Sequence, residues 1–401
     1  MLPPIFGVRL NSKMERQQLL SLQAIITLSY ALKTAKTALF LLLFLLLPFH
    51  NSKLTAKEQH TTAKYQKETA QLSELTASKR RHYANNGKEV LVLWWNVENL
   101  FDTCNDPRVD DREFTPDGKR HWTEKKLLLK RLRIAQLFKA VRADHEYGKF
   151  PDIVAFAETE NRAVFAGTLA AIDQAGYAVD YHESPDPRGI DIGLAWNPAT
   201  VKFTGSKPYT IKLDDGRGTR FVIAAGFIVS GHHFAVVLNH WPSRSFDASW
   251  SESKRIVAAK VTRHVVDSLR TKEPSADVVV MGDFNDQPDN RSVREVLGSS
   301  FDRKEVLHPG NLLLYNCWND TSSPGSYYYR KHWERIDQIL VSPGLLDGHG
   351  LSIGRNSFRV FSIPEMFDQP GKALYPTYEK GKFRGGYSDH LPLLLKIHVL
   401  R

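Results

Sequence analysis

The run Val278-Val279-Val280-Met281, closed by Gly282-Asp283-Phe284-Asn285-Asp286, constrains the fold more than any other stretch of the chain. Four consecutive apolar residues that meet a glycine read as a buried strand whose end delivers polar groups into a cleft. The glycine permits a tight turn or a close backbone approach. If the extended conformation continues past it, Asp283 and Asn285, two residues apart, share one face. A carboxylate that takes or orients a water proton, beside an amide that holds a second oxygen, suits displacement at phosphorus. Gly-Asp after a strand is also compatible with an ordinary turn, so the reading depends on what the other strands carry.

Other apolar runs end in the same manner. Val90 to Trp95 gives a strand followed by Asn96-Val97-Glu98-Asn99, and after a polar loop over 101–122 a helix is expected from Thr123 to Val141. Ile153 to Ala157 forms a strand ending at Glu158, with Glu160 and Asn161 beyond it and a helix from Arg162 to Gln174. Ile190–Trp196 is the next strand, and Phe221–Val229 with Phe234–Leu238 reads as a hairpin ending at Asn239-His240. A long helix over Ser251–Leu269 leads into the opening strand, and a short one begins near Pro288 and Asn290. Residues 308–334 are loop-rich, Arg335–Val341 is a strand containing Asp337, and Ser388-Asp389-His390 opens a last strand over Leu391–Leu400. Strands that alternate with helices in one half and with hairpins elsewhere imply mixed α/β layers rather than a simple doubly wound sheet.

The net charge of +10 suggests a nucleic-acid partner until its distribution is considered. Residues 1–90 hold 13 Lys/Arg against 5 Asp/Glu, whereas residues 91–401 hold 41 against 39, so the excess belongs to the N-terminal arm. Within that arm Ala38–Phe49 is a 12-residue apolar core behind Lys33 and Lys36, shorter than the roughly 20 residues of a membrane span. It reads as an export signal over 1–56, with Met14 as a second possible start, and implies a periplasmic or secreted protein. An uncleaved anchor through residues 38–49 is the alternative. Residues 57–89 read as a polar linker, and 90–401 as the catalytic domain. Cys104 and Cys317 could pair in an oxidising compartment, although cysteines so far apart in sequence are more often unpaired, and no zinc spacing exists.

Asn96, Glu158, Asn239 with His240, Asp283 with Asn285, Asp337, and Asp389 with His390 thus all stand at strand edges. Each has an ordinary explanation alone, but six strands ending in residues suited to metal or phosphate point to one site. In their order, Trp95-Asn96-Val97-Glu98-Asn99, Ala157-Glu158, Asn239-His240, Gly282-Asp283-Phe284-Asn285, Arg335-Ile336-Asp337 and Ser388-Asp389-His390 resemble the endonuclease/exonuclease/phosphatase superfamily of metal-dependent phosphoesterases, in particular an exported bacterial subgroup. The resemblance implies two packed mixed β-sheets flanked by helices, a four-layer α/β sandwich with the site at one end.

It further implies that Glu158 is the principal ligand of magnesium or manganese, with Asn96 and Asp389 contributing, since hard oxygen donors suit such ions. By the same resemblance Asp283 orients or deprotonates water, Asn285 positions water or phosphate, and His390 acts with Asp337 fixing its tautomer. His240 contacts the phosphate or assists the leaving group. Whether His390 or Asp283 is the base stays open, and so does Glu160 as a competing ligand. Ala157 stands where the family often has Gln. Arg188 is either a phosphate contact or a turn residue in an ordinary ion pair. Tyr327-Tyr328-Tyr329 and Trp333, beside Arg330 and Lys331, either pack across strands or present a stacking surface.

The expected activity is phosphodiester hydrolysis by a monomeric nuclease on DNA or RNA. A phosphomonoesterase or lipid-headgroup phosphodiesterase is the alternative within the same chemistry. A catalytically idle binding module is the alternative of another class. A dinuclear calcineurin-like hydrolase would require Asp-x-His and Gly-Asn-His pieces that the sequence lacks.

Overall fold

The computed structural model describes residues 89–172, 176–244, 248–368 and 373–400; the expected export signal and nearly all of the linker lie outside them. The chain runs through β1 (Glu89–Leu100), α1 (Glu124–Ala143), β2 (Ile153–Thr159), α2 (Arg162–Ala170), β3 (Ala178–Tyr181), β4 (Asp191–Trp196) and β5 (Lys202–Tyr209). It continues with β6 (Val222–Val229), β7 (His232–His240), α3 (Ala248–Lys272), β8 (Asp277–Asp283), β9 (Ser299–Ser300), α4 (Arg303–Leu307) and β10 (Leu314–Asn316). There follow β11 (Tyr327–Tyr329), β12 (His332–Glu334), β13 (Asp337–Val341), β14 (Leu351–Ser352) and β15 (Phe358–Val360). The chain closes with β16 (Tyr378–Glu379), β17 (Lys382–Phe383) and β18 (Leu393–Val399).

Two mixed sheets result. One has the order β14-β18-β1-β2-β4-β3, with β15 also on β18, and the other β5-β6-β7-β8-β13-β10-β9. The pairs β1–β2 and β7–β8 are parallel, and their outer neighbours are antiparallel. Val92 and Trp94 of β1, Val236 and Leu238 of β7, Met281 of β8 and Ile339 of β13 pack in a core between the sheets. Leu91, Leu93 and Trp95 face outward under Leu127, Ile134 and Phe138 of α1, while Val237 and Val280 face outward under Ala258 and Val265 of α3. Because these strands are covered on both faces, they read as unbroken apolar runs. The layers are therefore helix, sheet, sheet and helix, as expected.

Strand periodicity then decides where the polar ends point. Side chains alternate faces, so continuing the inner set by two residues takes Trp94 to Asn96, Leu238 to His240, Met281 to Asp283 and Ile339 back to Asp337. Register places His240 opposite Asp283 and Asp283 opposite Asp337, one row across three strands. Gly282 lets β7 and β8 approach: a Cβ there would lie 2.3 Å from the backbone oxygen of Asn239.

The strands that sequence patterning does not mark are the weakly alternating ones. Strand β5 has the sequence KFTGSKPY and is largely exposed at a sheet edge, where glycine and proline are tolerated. The loop-rich 308–334 holds β10 and the β11–β12 hairpin, and helix α2 ends at Ala170 rather than Gln174.

Asp277 lies at the far end of β8, about 20 Å from Asp283. Burial, with the carboxylates of Asp347 and Glu273, pushes it up to about 7. The folded state thus holds this proton more tightly than the unfolded chain, and the stability it confers is lost as pH rises from about 4 to about 7. Asp277→Asn is expected to raise Tm at pH 8 and to change it little at pH 4. Equal shifts at both values, in thermal melts, would contradict this.

Candidate active site

At the end of the sandwich Asp337 is fully buried, with both oxygens engaged. Its Oδ1 accepts from the Trp94 indole at 3.0 Å, and its Oδ2 accepts from the Ser326 hydroxyl at 2.7 Å. The same Oδ2 stands 2.6 Å from His390 Nδ1. A carboxylate there makes Nδ1 the protonated nitrogen and leaves Nε2 facing the cleft, 4.0 Å from Asp283 Oδ2 and 3.9 Å from Asp389 Oδ1. Burial alone would lower the imidazolium, yet the carboxylates of Asp337, Asp389 and Asp283 outweigh it and hold His390 well above the usual histidine range.

The motif residues around this dyad hold it in place. The Trp95 indole donates to His390 O at 2.9 Å, the Ser388 hydroxyl donates to Asn96 O at 2.7 Å, and His390 N–H donates to Ser388 Oγ at 3.0 Å. The Trp-Asn strand end and the Ser-Asp-His segment are thereby locked together.

Asp283 is pushed up to about 7 by burial and then by the Asp337 carboxylate, against the opposing effects of His390, the Asn285 N–H and the Asn96 amide. Its Oδ2 accepts from Asn96 Nδ2 at 3.1 Å, and the same amide nitrogen reaches Glu158 Oε1 at 3.3 Å. Asn96 Oδ1 accepts the Glu98 N–H at 3.0 Å, and Glu158 Oε2 accepts the Asn99 N–H at 2.9 Å. Glu98, Asn99, Glu158 and Asn285 all have φ between 52° and 63°. Four left-handed non-glycine residues at one site are a conformational cost that the surrounding hydrogen bonds sustain.

Asn285 departs from the sequence expectation. Its φ of 52° ends the extended conformation, so it does not stand beside Asp283 on one face. Its N–H instead donates to Asp283 Oδ1 at 2.9 Å, and its amide donates to Trp241 O at 3.1 Å. Asn239 also points elsewhere, as alternation requires. Its Oδ1 accepts from the Trp241 indole at 3.0 Å and the Thr262 hydroxyl of α3 at 2.6 Å.

His240 faces the cleft, with Nε2 3.8 Å from Asp283 Oδ2 and 4.0 Å from Glu158 Oε1; its buried Nδ1 has no partner among the described residues. Burial and the nearby cations Arg220, Arg188 and His390 keep it neutral. Arg220, itself buried, donates to the His240 and Trp241 carbonyls and pairs with Asp186 at 2.7 Å. Arg188 is half exposed, 3.7 Å from Asp186.

Glu160 turns away from Glu158. Its carboxylate accepts the Asp102 N–H at 2.6 Å, and it is pushed up to about 8 by burial and by Asp102 and Asp111. It lines a cavity of about 910 Å³ together with Asp102, Asp186 and Asp191; none of the expected site residues lines that cavity.

Two groups had no role in the sequence reading. Glu98 accepts the Thr377 and Tyr378 N–H groups at 2.6 and 2.9 Å, and Lys130 donates to the Thr377 hydroxyl and to Tyr387 O. Burial raises Glu98 to about 8 and lowers Lys130 to about 8. Together they secure the segment that leads to Asp389. Lys130 was legible in principle, since it falls three residues after Leu127 and four before Ile134 on the buried face of α1.

Asp283, Asp337 and His390 bring ligand-type atoms within 4.8 Å of one another. Both oxygens of Asp337 are already engaged by Trp94, Ser326 and His390, however, which directs a cation toward the other side of the cleft. There Glu158, Asp283 and half-buried Asp389 concentrate negative charge on hard oxygen donors, and this donor set fits a small divalent cation.

The model of the Endonuclease/Exonuclease/phosphatase family matches residues 91–399. The chain belongs to this family and is a hydrolase of phosphoester bonds whose relatives depend on a metal ion. A search of curated protein sequences finds no significant match. Solved structures similar to it include the human Nocturnin catalytic domain with bound sulfate, at 16% identity over 78% of this chain and 95% of that one, TM-score 0.48. A humanized D. rerio TDP2 matches at 14% identity over 77% and 99%, TM-score 0.49. A Bacteroides thetaiotaomicron mannosyl-6-phosphatase matches at 15% over 78% and 100%, TM-score 0.48.

Proposed function

We propose that this chain hydrolyses phosphodiester bonds of DNA or RNA by in-line attack of water. The observation that carries the reading is the meeting of the Asp337–His390 dyad, Asp283 and neutral His240 with the Glu158 carboxylate in one cleft. A magnesium or manganese ion held by Glu158 and Asp389 would offset charge on the phosphoryl oxygens; Asn96, expected as a ligand, instead turns its amide nitrogen to Glu158 and Asp283 and its oxygen to the Glu98 N–H, and so braces those carboxylates. Asp283, held by the Asn96 amide on one oxygen and the Asn285 N–H on the other, takes or orients the proton of the attacking water. Asn285 holds Asp283 in position through its N–H. His240 donates to a phosphoryl oxygen, His390 stabilises charge on the leaving oxygen as its bond to phosphorus breaks and that oxygen takes a proton from solvent, and Arg188 contacts phosphate at the rim.

A nucleic-acid substrate is supported by exposed Tyr329 with Arg330 over its ring at 5.1 Å. The near balance of charge over residues 91–401 favours a second reading, a phosphomonoester or lipid headgroup. Magnesium-dependent cleavage of supercoiled DNA or of RNA, lost in EDTA, is the expected result. Turnover confined to p-nitrophenyl phosphate or phospholipid vesicles would replace the first reading with the second.

Export through the apolar core at residues 38–49 belongs to the same proposal. It is checked by the N-terminal mass of protein recovered outside the cytoplasm, and recovery of only the full chain inside it would remove it.

A further inference from the structure

We propose that Tyr327 is a positioning residue for His390, acting through the face of its ring. This rests on the reading of His390 as part of the phosphoesterase site. The imidazole is tied to Asp337 through Nδ1, and a ring held by one such bond can still pivot about it and swing Nε2 out of the cleft. Strand β11 blocks that motion. It meets the chain at His390 through a lone antiparallel bridge, Tyr327 to His390, and the two ring centroids lie 4.6 Å apart at 33°.

The residue before it grips the other member of the dyad: Ser326 donates to the same Asp337 oxygen that faces His390, and its carbonyl accepts Leu391 N–H at 2.7 Å. Tyr329 stacks behind Tyr327 at 5.9 Å and 15°, so the clamp has a second layer. The hairpin is braced at its base by the Arg244–Glu334 ion pair and by Tyr328 against Trp333 at 5.1 Å. The imidazole thus lies under a flat aromatic surface fixed to the same backbone that carries its partner.

The Tyr327 hydroxyl is the competing explanation, because burial and the carboxylates of Asp389 and Asp283 keep it protonated beside the cleft. Tyr327→Phe and Tyr327→Leu in the full chain separate the two. Each is measured with magnesium on bis-p-nitrophenyl phosphate, and by the NMR position of the His390 ring signal, assigned with His390→Gln. Tyr327→Leu is expected to lose the ring-current displacement of that signal and roughly tenfold or more in kcat, while KM stays nearly unchanged. Tyr327→Phe is expected to restore both. A Phe variant as impaired as the Leu variant would overturn the proposal in favour of a hydroxyl contact, and wild-type kcat in Tyr327→Leu would overturn it outright. If the wild-type chain turns over no phosphoester at all, the functional reading fails, while an unmoved His390 signal in Tyr327→Leu would still independently refute the clamp.

Discussion

Asp283→Asn is expected to lower turnover by roughly a hundredfold or more while the protein stays folded. Asparagine keeps the shape of the side chain and removes its ability to accept a proton. The carboxylate now receives two donors, Asn285 N–H on one oxygen and the Asn96 amide on the other. An amide can satisfy only one of them with its oxygen, but it also removes a buried charge that the fold disfavours, so the two effects on stability oppose each other. Asp283 sits at the centre of the row from His240 to Asp337. Near-normal turnover in steady-state assays of the folded variant would remove Asp283 from the mechanism.

Glu158→Gln should change the response to metal rather than the fold. Its two oxygens meet the Asn96 amide and the Asn99 N–H, and a glutamine can retain the latter contact through its own oxygen. A hard cation is held chiefly by the negative charge of its oxygen ligands, and this substitution removes one such charge. The magnesium concentration for half-maximal activity is therefore expected to rise at least about tenfold. Glu160→Gln is the control, because that carboxylate is engaged by Asp102 and faces the neighbouring cavity. A magnesium titration unchanged in Glu158→Gln and shifted in Glu160→Gln would exchange the two assignments.

Much of this architecture was legible because the central strands are covered on both faces. Their apolar runs are continuous, so the first polar residue after each run marks the rim of the sandwich. Period two then takes Met281 to Asp283 and Leu238 to His240 without knowledge of the sheets. The same rule fails where the backbone leaves the extended region. Asn285 was expected beside Asp283 and instead braces it, because a φ of 52° is not visible in an Asn-Asp pair. Edge strand β5 was missed because an exposed strand carries little apolar alternation. The support of His390 by Ser326 and Tyr327 depends on a hairpin that returns from more than 60 residues away, a contact no local pattern encodes. Glu158 is favoured over Glu160 in the sequence because it directly ends the apolar run, and the structure separates them further, since Glu158, with φ of 63°, turns the chain between them.

Metal-dependent phosphodiester hydrolysis at this cleft is tested most directly with bis-p-nitrophenyl phosphate and the full chain, first stripped with EDTA and then supplied with magnesium or manganese. The expected result is no turnover in EDTA, recovery with either ion, and no recovery in Glu158→Gln at the concentration that half-activates the wild type. Hydrolysis at the same rate with and without the ions would contradict it.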